Sequence, residues 1–184
     1  MTTGYPVNYP ANILQRAAGI RLIGFDVDGT LTDGRLLYGT DGHETKSFHV
    51  QDGLGLVLLR HAGITPALVT ARSSTVVEQR GKELQIPHVH TGERGKLACM
   101  QKIAAGMGIG MEAVAFMGDD LPDLATMRRV GLGIAPANAH AWILAEADWV
   151  TPRNGGAGAA RDVCDLLLHA QDKIEAILAH GEHP

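Results

Sequence analysis

Arg21-Leu22-Ile23-Gly24-Phe25-Asp26-Val27-Asp28-Gly29-Thr30-Leu31-Thr32-Asp33-Gly34 is the stretch that decides the fold. Its first half is apolar and β-prone. It then meets two carboxylates, a glycine and a polar turn. A short apolar run closed by turn residues reads as a buried parallel strand, here over 21–27. Open α/β sheets keep their ligands just beyond the C-terminal ends of strands, which is where Asp26 and Asp28 fall. With period-two alternation the two side chains point the same way if the strand continues. Like charges held that close need a cation or a shared proton. Two readings stand at this point: an Asp-Gly turn closing a hairpin, and a metal-assisted carboxylate site.

Composition narrows the class. The 184 residues suit one domain, 45% are hydrophobic, and the net charge is -4. No basic block stands out, which argues against nucleic acid as the main partner. No apolar run is long enough to span a bilayer. Met1 to Pro10 is polar, without the core of a signal peptide, so a cytoplasmic protein with no membrane partner is expected. Cys99 and Cys164 read as buried free thiols. The nine histidines are scattered, and no His or Cys cluster has zinc-ligand spacing.

Strands and helices alternate along the chain. Residues 1–20 read as a loose arm and a short helix over 11–18. Residues 35–38 and 43–50 read as two β-prone runs joined by Gly39-Thr40-Asp41-Gly42, a hairpin flap over the end of the first strand. Asp52 is expected to cap a helix running to about 61. Ala67-Leu68-Val69-Thr70 reads as a second buried strand, with Ser74 capping the helix that follows to 84. His88-Val89-His90 is a short strand, and Lys96 opens a helix to about 105. Val114-Ala115-Phe116-Met117 runs into Gly118-Asp119-Asp120, with Pro122 at a helix start. Strands over 131–134 and 148–150 flank a helix at 139–146, and one long helix is expected over 159–179. The pattern predicts an α/β fold: a doubly wound parallel sheet with helices on both faces and no large cap.

Four polar stations follow strand ends or open a helix: Asp26 with Asp28, Thr70, Lys96, and Asp119 with Asp120 and Asp123. Parallel strands end on one side of a sheet, so these stations converge. A phosphate monoester is dianionic, and its transfer needs a nucleophile, charge neutralisation and a proton donor. Mg²⁺ prefers oxygen ligands, which Asp26 and Asp119 supply. A carboxylate nucleophile splits one hard displacement into two. Asp28 is placed to protonate the leaving alcohol and then activate water. Thr70 and Lys96 are placed to hold phosphoryl oxygens. Asp120 reads as a helix cap or as the partner of Lys96, and Asp123 lies one turn further on. Each station has a plainer alternative, a turn, a cap or a solvated helix residue. Their joint order is what points to phosphoryl transfer.

The set Asp26-Val27-Asp28-Gly29-Thr30, Thr70, Lys96 and Gly118-Asp119-Asp120-Leu121-Pro122-Asp123 resembles the haloacid dehalogenase (HAD) superfamily of phosphatases. Thr32-Asp33-Gly34, the flap to Phe48, Asp52-Gly53-Leu54-Gly55, Thr70-Ala71-Arg72-Ser73-Ser74 and Gly155-Gly156-Ala157-Gly158-Ala159-Ala160-Arg161 are similar to its capless subfamily of 3-deoxy-D-manno-octulosonate 8-phosphate (KDO 8-phosphate) phosphatases. The resemblance covers about residues 18–172. It implies Asp26 as nucleophile and Mg²⁺ ligand, Asp28 as acid/base and carbonyl ligand, Asp119 as a further ligand, and Lys96 on the phosphoryl group. It implies Arg72, Arg80 and the run His49-Val50-Gln51-Asp52-Gly53 as contacts to a sugar-acid phosphate. Guanidinium suits a carboxylate in any case. It also implies a homotetramer with sites at subunit interfaces, a C-terminal helix and tail (159–184) reaching a neighbour, and a place in lipopolysaccharide precursor synthesis.

The chain departs from the subfamily pattern at Ala71, at Thr91-Gly92 and at His49. Gln51 and Val57 replace two residues that are often basic. All bear on the sugar rather than the phosphoryl group. A phosphatase for a nonulosonic acid 9-phosphate, such as N-acylneuraminate 9-phosphate, is therefore the alternative. A phosphotransferase and a non-catalytic regulatory protein are the rivals of other classes.

Overall fold

A computed structural model describes residues 9–180. The expected arm over 1–8 and the tail over 181–184 lie outside the described residues. The chain runs α1 (Ala11–Ala17), β1 (Leu22–Phe25), β2 (Leu37–Tyr38), β3 (Glu44–Thr45), α2 (Val50–His61), β4 (Thr65–Val69), α3 (Thr75–Glu83), β5 (His88–His90) and α4 (Lys96–Gly106). After a short 3₁₀ turn it continues as β6 (Val114–Met117), α5 (Leu121–Met127), β7 (Leu132–Ala135), α6 (Ala141–Leu144), β8 (Trp149–Val150), α7 (Ala159–Ala170) and α8 (Ile174–His180).

Six strands form one parallel sheet in the order β5-β4-β1-β6-β7-β8. The doubly wound sheet expected from the alternation is present. Side chains alternate between its two faces. Ile23, Phe25, Leu68, Ala115 and Met117 pack with α1, α2 and α7, while Leu22, Ala67, Val69, Val114 and Phe116 pack with α4, α5 and α6. Burial on both faces is why these strands read as continuous apolar runs. The chain winds one way from β1 through β4 to β5, then returns to β6 on the other side of β1. That reversal opens a crevice at the C-terminal edge, where ligands bind in open α/β sheets.

Several local expectations are corrected. β1 ends at Phe25, not at 27, so Asp26 and Asp28 are not alternating residues of one strand. The chain turns at Gly29, whose φ is +91°. The flap ladder is only Leu37–Tyr38 against Glu44–Thr45, and α2 already begins at Val50. Asp52 does not cap α2. It sits buried in the first turn of α2, and its Oδ1 accepts the Arg161 amide of α7 at 2.7 Å. It thus satisfies one of the amides that a helix start leaves orphaned, across the α2–α7 packing. Ser74 stands at the N-cap of α3 but makes no side-chain cap, because its hydroxyl donates to Glu44 Oε2 at 3.0 Å.

The long final helix is two helices. Asp172 adopts φ +54° between them. The Gln171 side-chain amide turns aside there to donate to the carbonyls of Ala17 at 3.2 Å and Ile20 at 2.8 Å, beyond the end of α1. Satisfying those carbonyls is a local gain that 3.6-residue periodicity does not display.

Candidate active site

The sheet places its polar residues one step beyond its ladders. The Asp26 amide donates to Met117 O, the Thr70 amide to His90 O, and the Gly118 amide to Ile134 O. Asp26, Thr70 and the loop carrying Asp119 are thereby fixed at one edge. With Asp28, Gly34, Arg72, Lys96 and Asp123 they line a cavity of about 300 Å³, room for a phosphoryl group with its cation and waters.

Lys96 opens α4 and is almost completely buried, with Nζ 2.8 Å from Asp26 Oδ1 and 2.6 Å from Asp123 Oδ1. Asp120 is not the partner of Lys96. It caps α5, accepting the Leu121 amide at 2.8 Å, and Asp123 completes the capping box while taking the lysine. Asp123 Oδ2 also accepts the amides of Asp119 at 3.1 Å and Asp120 at 3.3 Å. Both of its oxygens are therefore engaged by protein donors. Thr30 Oγ1 donates to Asp119 Oδ1 at 3.2 Å. Gly29 is required twice: its backbone is left-handed, and a Cβ there would lie 2.1 Å from Asp119 Oδ2. Asp28-Gly29 is a turn, but it closes no hairpin: β1 pairs in parallel with β4 and β6, so the hairpin reading falls and the carboxylate reading stands.

Ligand oxygens of Asp26, Asp119 and Asp123 all lie within 4.8 Å of one another. Three carboxylates face one ammonium. Burial, and then the charge of Asp123, push the Asp26 carboxyl up to about 7 against the pull of Lys96. Asp119 is pushed up to about 6 by burial and Asp123. Burial works against the Lys96 ammonium, but Asp26 and Asp123 outweigh it and hold its pKa above the ordinary lysine value. A site that is crowded with hard oxygens and short of positive charge fits a divalent cation such as Mg²⁺. Asp26 and Asp119 have the oxygens left to hold it.

The remaining predicted residues divide. Arg72 lies at this cavity. Arg80, His49, Asp52 and Gly53 line a separate crevice of about 10 Å³ with Leu31 and Phe48, scarcely room for one water. There the Arg80 guanidinium lies 5.9 Å from the centroid of the Phe48 ring, backed by Gly53. Val50 is exposed, and Gln51 Oε1 accepts from Arg153 Nη1 at 3.2 Å. Two residues at the cavity's edge escaped the sequence reading, Glu44 and Lys46 of the flap. Their signal was present: they stand two apart on a β-prone run and so share a face, and that face turns toward Asp28.

A family model of the haloacid dehalogenase-like hydrolases matches residues 89–161. A 3-deoxy-D-manno-octulosonate 8-phosphate phosphatase from Yersinia pestis is 43% identical over 164 residues, 89% of this chain and 88% of that protein. Among solved structures, the same-named enzyme from Moraxella catarrhalis, in complex with magnesium, phosphate and KDO, matches with a TM-score of 0.91 at 42% identity, covering 95% of this chain and 100% of that one. A hypothetical protein from Xanthomonas campestris matches with a TM-score of 0.92 at 49% identity, over 95% of this chain and 96% of that one. The chain belongs to the KDO 8-phosphate phosphatase family of the haloacid dehalogenase-like hydrolases.

Proposed function

We propose that the chain is a Mg²⁺-dependent phosphoric monoester hydrolase that releases phosphate from KDO 8-phosphate through an aspartyl-phosphate on Asp26. One observation carries this reading: Asp26, Lys96, Asp119 and Asp123 are gathered beyond β1 and β6, in a cavity with room for a phosphoryl group and a cation. In the first half-reaction an Asp26 oxygen bonds to phosphorus as the bond to the sugar oxygen breaks, and Asp28 gives that oxygen its proton. In the second, Asp28 takes a proton from the water that attacks phosphorus, and Asp26 is freed. Lys96 fixes the Asp26 carboxylate, and with Thr70 it faces the phosphoryl oxygens. Asp26, Asp119 and the Asp28 carbonyl would hold Mg²⁺, whose charge would offset the repulsion between Asp26 and a dianionic substrate. Asp120 and Asp123 support the site from behind.

Substrate choice belongs to the rim. Arg72 is the guanidinium in the cavity lining, and it is placed for the carboxylate of a sugar acid. Gln51 and Val57 lack the charge of the usual residues, which keeps nonulosonic acid 9-phosphates as the comparison to run. KDO 8-phosphate is expected to give a kcat/KM at least about tenfold above N-acylneuraminate 9-phosphate, a difference of about 1.4 kcal/mol in transition-state binding. The reverse order would reassign the substrate, and equally low values would defeat the sugar-acid reading.

The flap supports an oligomer. Leu36, Leu37 and Tyr38 on it are 44%, 53% and 60% exposed, a contiguous apolar edge of the kind that marks an interaction surface. A homotetramer with sites at subunit interfaces covers that edge, and light scattering is expected to report four chains. A monomer mass at micromolar concentration would contradict it. None of the described helices is long and apolar enough to cross a membrane. The cytoplasm is the proposed compartment, with no nucleic-acid or membrane partner.

A further inference from the structure

Lys46 follows β3 at the foot of the flap, and its side chain is only 1% exposed. A lysine so deeply buried needs carboxylates around it. It has two, Asp28 Oδ1 at hydrogen-bond distance and Glu44 Oε1 at 3.3 Å. Glu44 is in turn held by Arg72 Nη2 at 2.9 Å and by the Ser74 hydroxyl. Those donors, with Lys46, keep its carboxyl below the ordinary range despite burial. Arg72 Nη2 also donates to Tyr38 Oη at 2.7 Å. Arg72 Nε stands 3.8 Å from Asp28 Oδ2, which closes the circuit. Two cations and two carboxylates alternate around a neutral ring. Glu44, Lys46 and Tyr38 come from the flap, Arg72 and Ser74 from the loop after β4, and Asp28 from the loop after β1.

Within this ring Asp28 differs from the other acids of the site. Asp26 is fixed by Lys96, Asp119 by Thr30, and Asp123 by two amides and Lys96. Among the described residues, Lys46 alone hydrogen-bonds the Asp28 carboxylate. Its other oxygen, Oδ2, is buried and accepts no hydrogen bond from the protein. One oxygen is thus pinned by the flap, and the other, 3.8 Å from Arg72 Nε, is held by no hydrogen bond from the protein.

We propose that Lys46 is a positioning residue for leaving-group protonation: it reaches from the flap to orient the Asp28 carboxyl, and Glu44 orients Lys46. The proposal rests on the phosphatase reading above. When Asp28 gives its proton to the departing sugar oxygen, it is left as a carboxylate facing an ammonium already in place. No group need move to meet that charge. The flap therefore belongs to the proton-transfer apparatus as well as to the wall of the pocket.

The test separates proton donation from phosphoryl binding by varying the leaving group. A sugar alkoxide must be protonated as it departs, whereas p-nitrophenolate is stable as an anion. Release of the alcohol in the first turnover, with enzyme in excess and Mg²⁺ present, isolates the step. Lys46→Met is expected to slow release from KDO 8-phosphate by about 30-fold or more, within the range of general acid catalysis. Release from p-nitrophenyl phosphate is expected to slow by less than about fivefold. Glu44→Gln is expected to show the same bias more weakly, and it decides the matter if Lys46→Met does not fold. Equal slowing on both esters, or no slowing on either, overturns the inference. The functional reading is judged separately by the wild-type protein: no phosphate released from either ester defeats that reading, whatever the variants do.

Discussion

Asp26→Asn is expected to lower kcat by at least about 10³-fold while the protein still folds. The side chains are isosteric, so the place beside Lys96 stays filled and the ladder bond from the Asp26 amide to Met117 O is untouched. The nucleophile is lost, because an amide oxygen does not attack a phosphate ester at a useful rate. Phosphate release within tenfold of the wild-type rate would remove Asp26 from that role. The same variant has a second, opposite signature. Asp26 titrates near 3.8 when unfolded and near 7 in the folded chain. Between those values the folded protein holds the extra proton. Stability contributed by this group is therefore full below about 4 and lost as pH rises toward 7. At pH 7 and above, Asp26→Asn in EDTA is expected to melt higher than the wild-type protein in EDTA. Activity and stability are thus opposed at one residue, as expected where like charges are collected for chemistry.

Removal of Mg²⁺ carries the second large effect. EDTA is expected to abolish turnover, and added Mg²⁺ to restore it. With all its acids ionised, the site sets three carboxylates against one ammonium, an excess of two negative charges before a dianionic substrate arrives. Asp26 and Asp119, both raised by burial and by Asp123, regain their charged form when a cation binds. Binding to the folded state alone raises its stability by mass action, so Mg²⁺ is also expected to raise Tm near pH 7. The increment should shrink for Asp119→Ala. Unchanged rates in chelator, or a Tm indifferent to Mg²⁺, would contradict the metal assignment.

Much of this was legible because the chemistry sits where the fold is most regular. The β1, β4 and β6 cores are short apolar runs buried on two faces, and each is followed directly by its polar station. Strand order and station order therefore read together. Asp26, Thr70 and Asp119 needed only the rule that parallel strands end on one side, and Lys96 the helix start after β5. What failed to show was long-range pairing of polar groups. Asp52 looks like a cap of its own helix, and only the packing of α2 on α7 shows that it serves Arg161. Asp120 and Asp123 are equivalent in a linear string. The capping geometry of α5 turns one outward to Leu121 and the other inward to Lys96. The break after Ala170 depends on Gln171 reaching carbonyls about 150 residues away.

The flap was legible as a hairpin, but its part in the site was not. The β-prone run over 43–50 singles out neither Glu44 nor Lys46, since edge strands commonly present charged residues to solvent. Only the fold brings Asp28 and Arg72 against them. Arg80 and the run from His49 to Gly53 show the converse. The resemblance groups them with the sugar contacts, yet within one chain Arg80, His49, Asp52 and Gly53 line a narrow crevice beside Phe48, separate from the cavity that holds Asp26. If a neighbouring subunit completes the pocket, it must do so from the rim around Arg72 and the exposed edge of the flap.

The central claim is an aspartyl-phosphate on Asp26, and it can be observed directly. The wild-type protein is mixed with KDO 8-phosphate and Mg²⁺, quenched in acid within the first turnover, digested and read by peptide mass spectrometry. A phosphoryl group on the peptide carrying Asp26, absent from Asp26→Asn and from a sample mixed in EDTA, is the predicted result. Rapid phosphate release with no phosphorylated peptide, or with the phosphoryl group on another residue, would contradict the account.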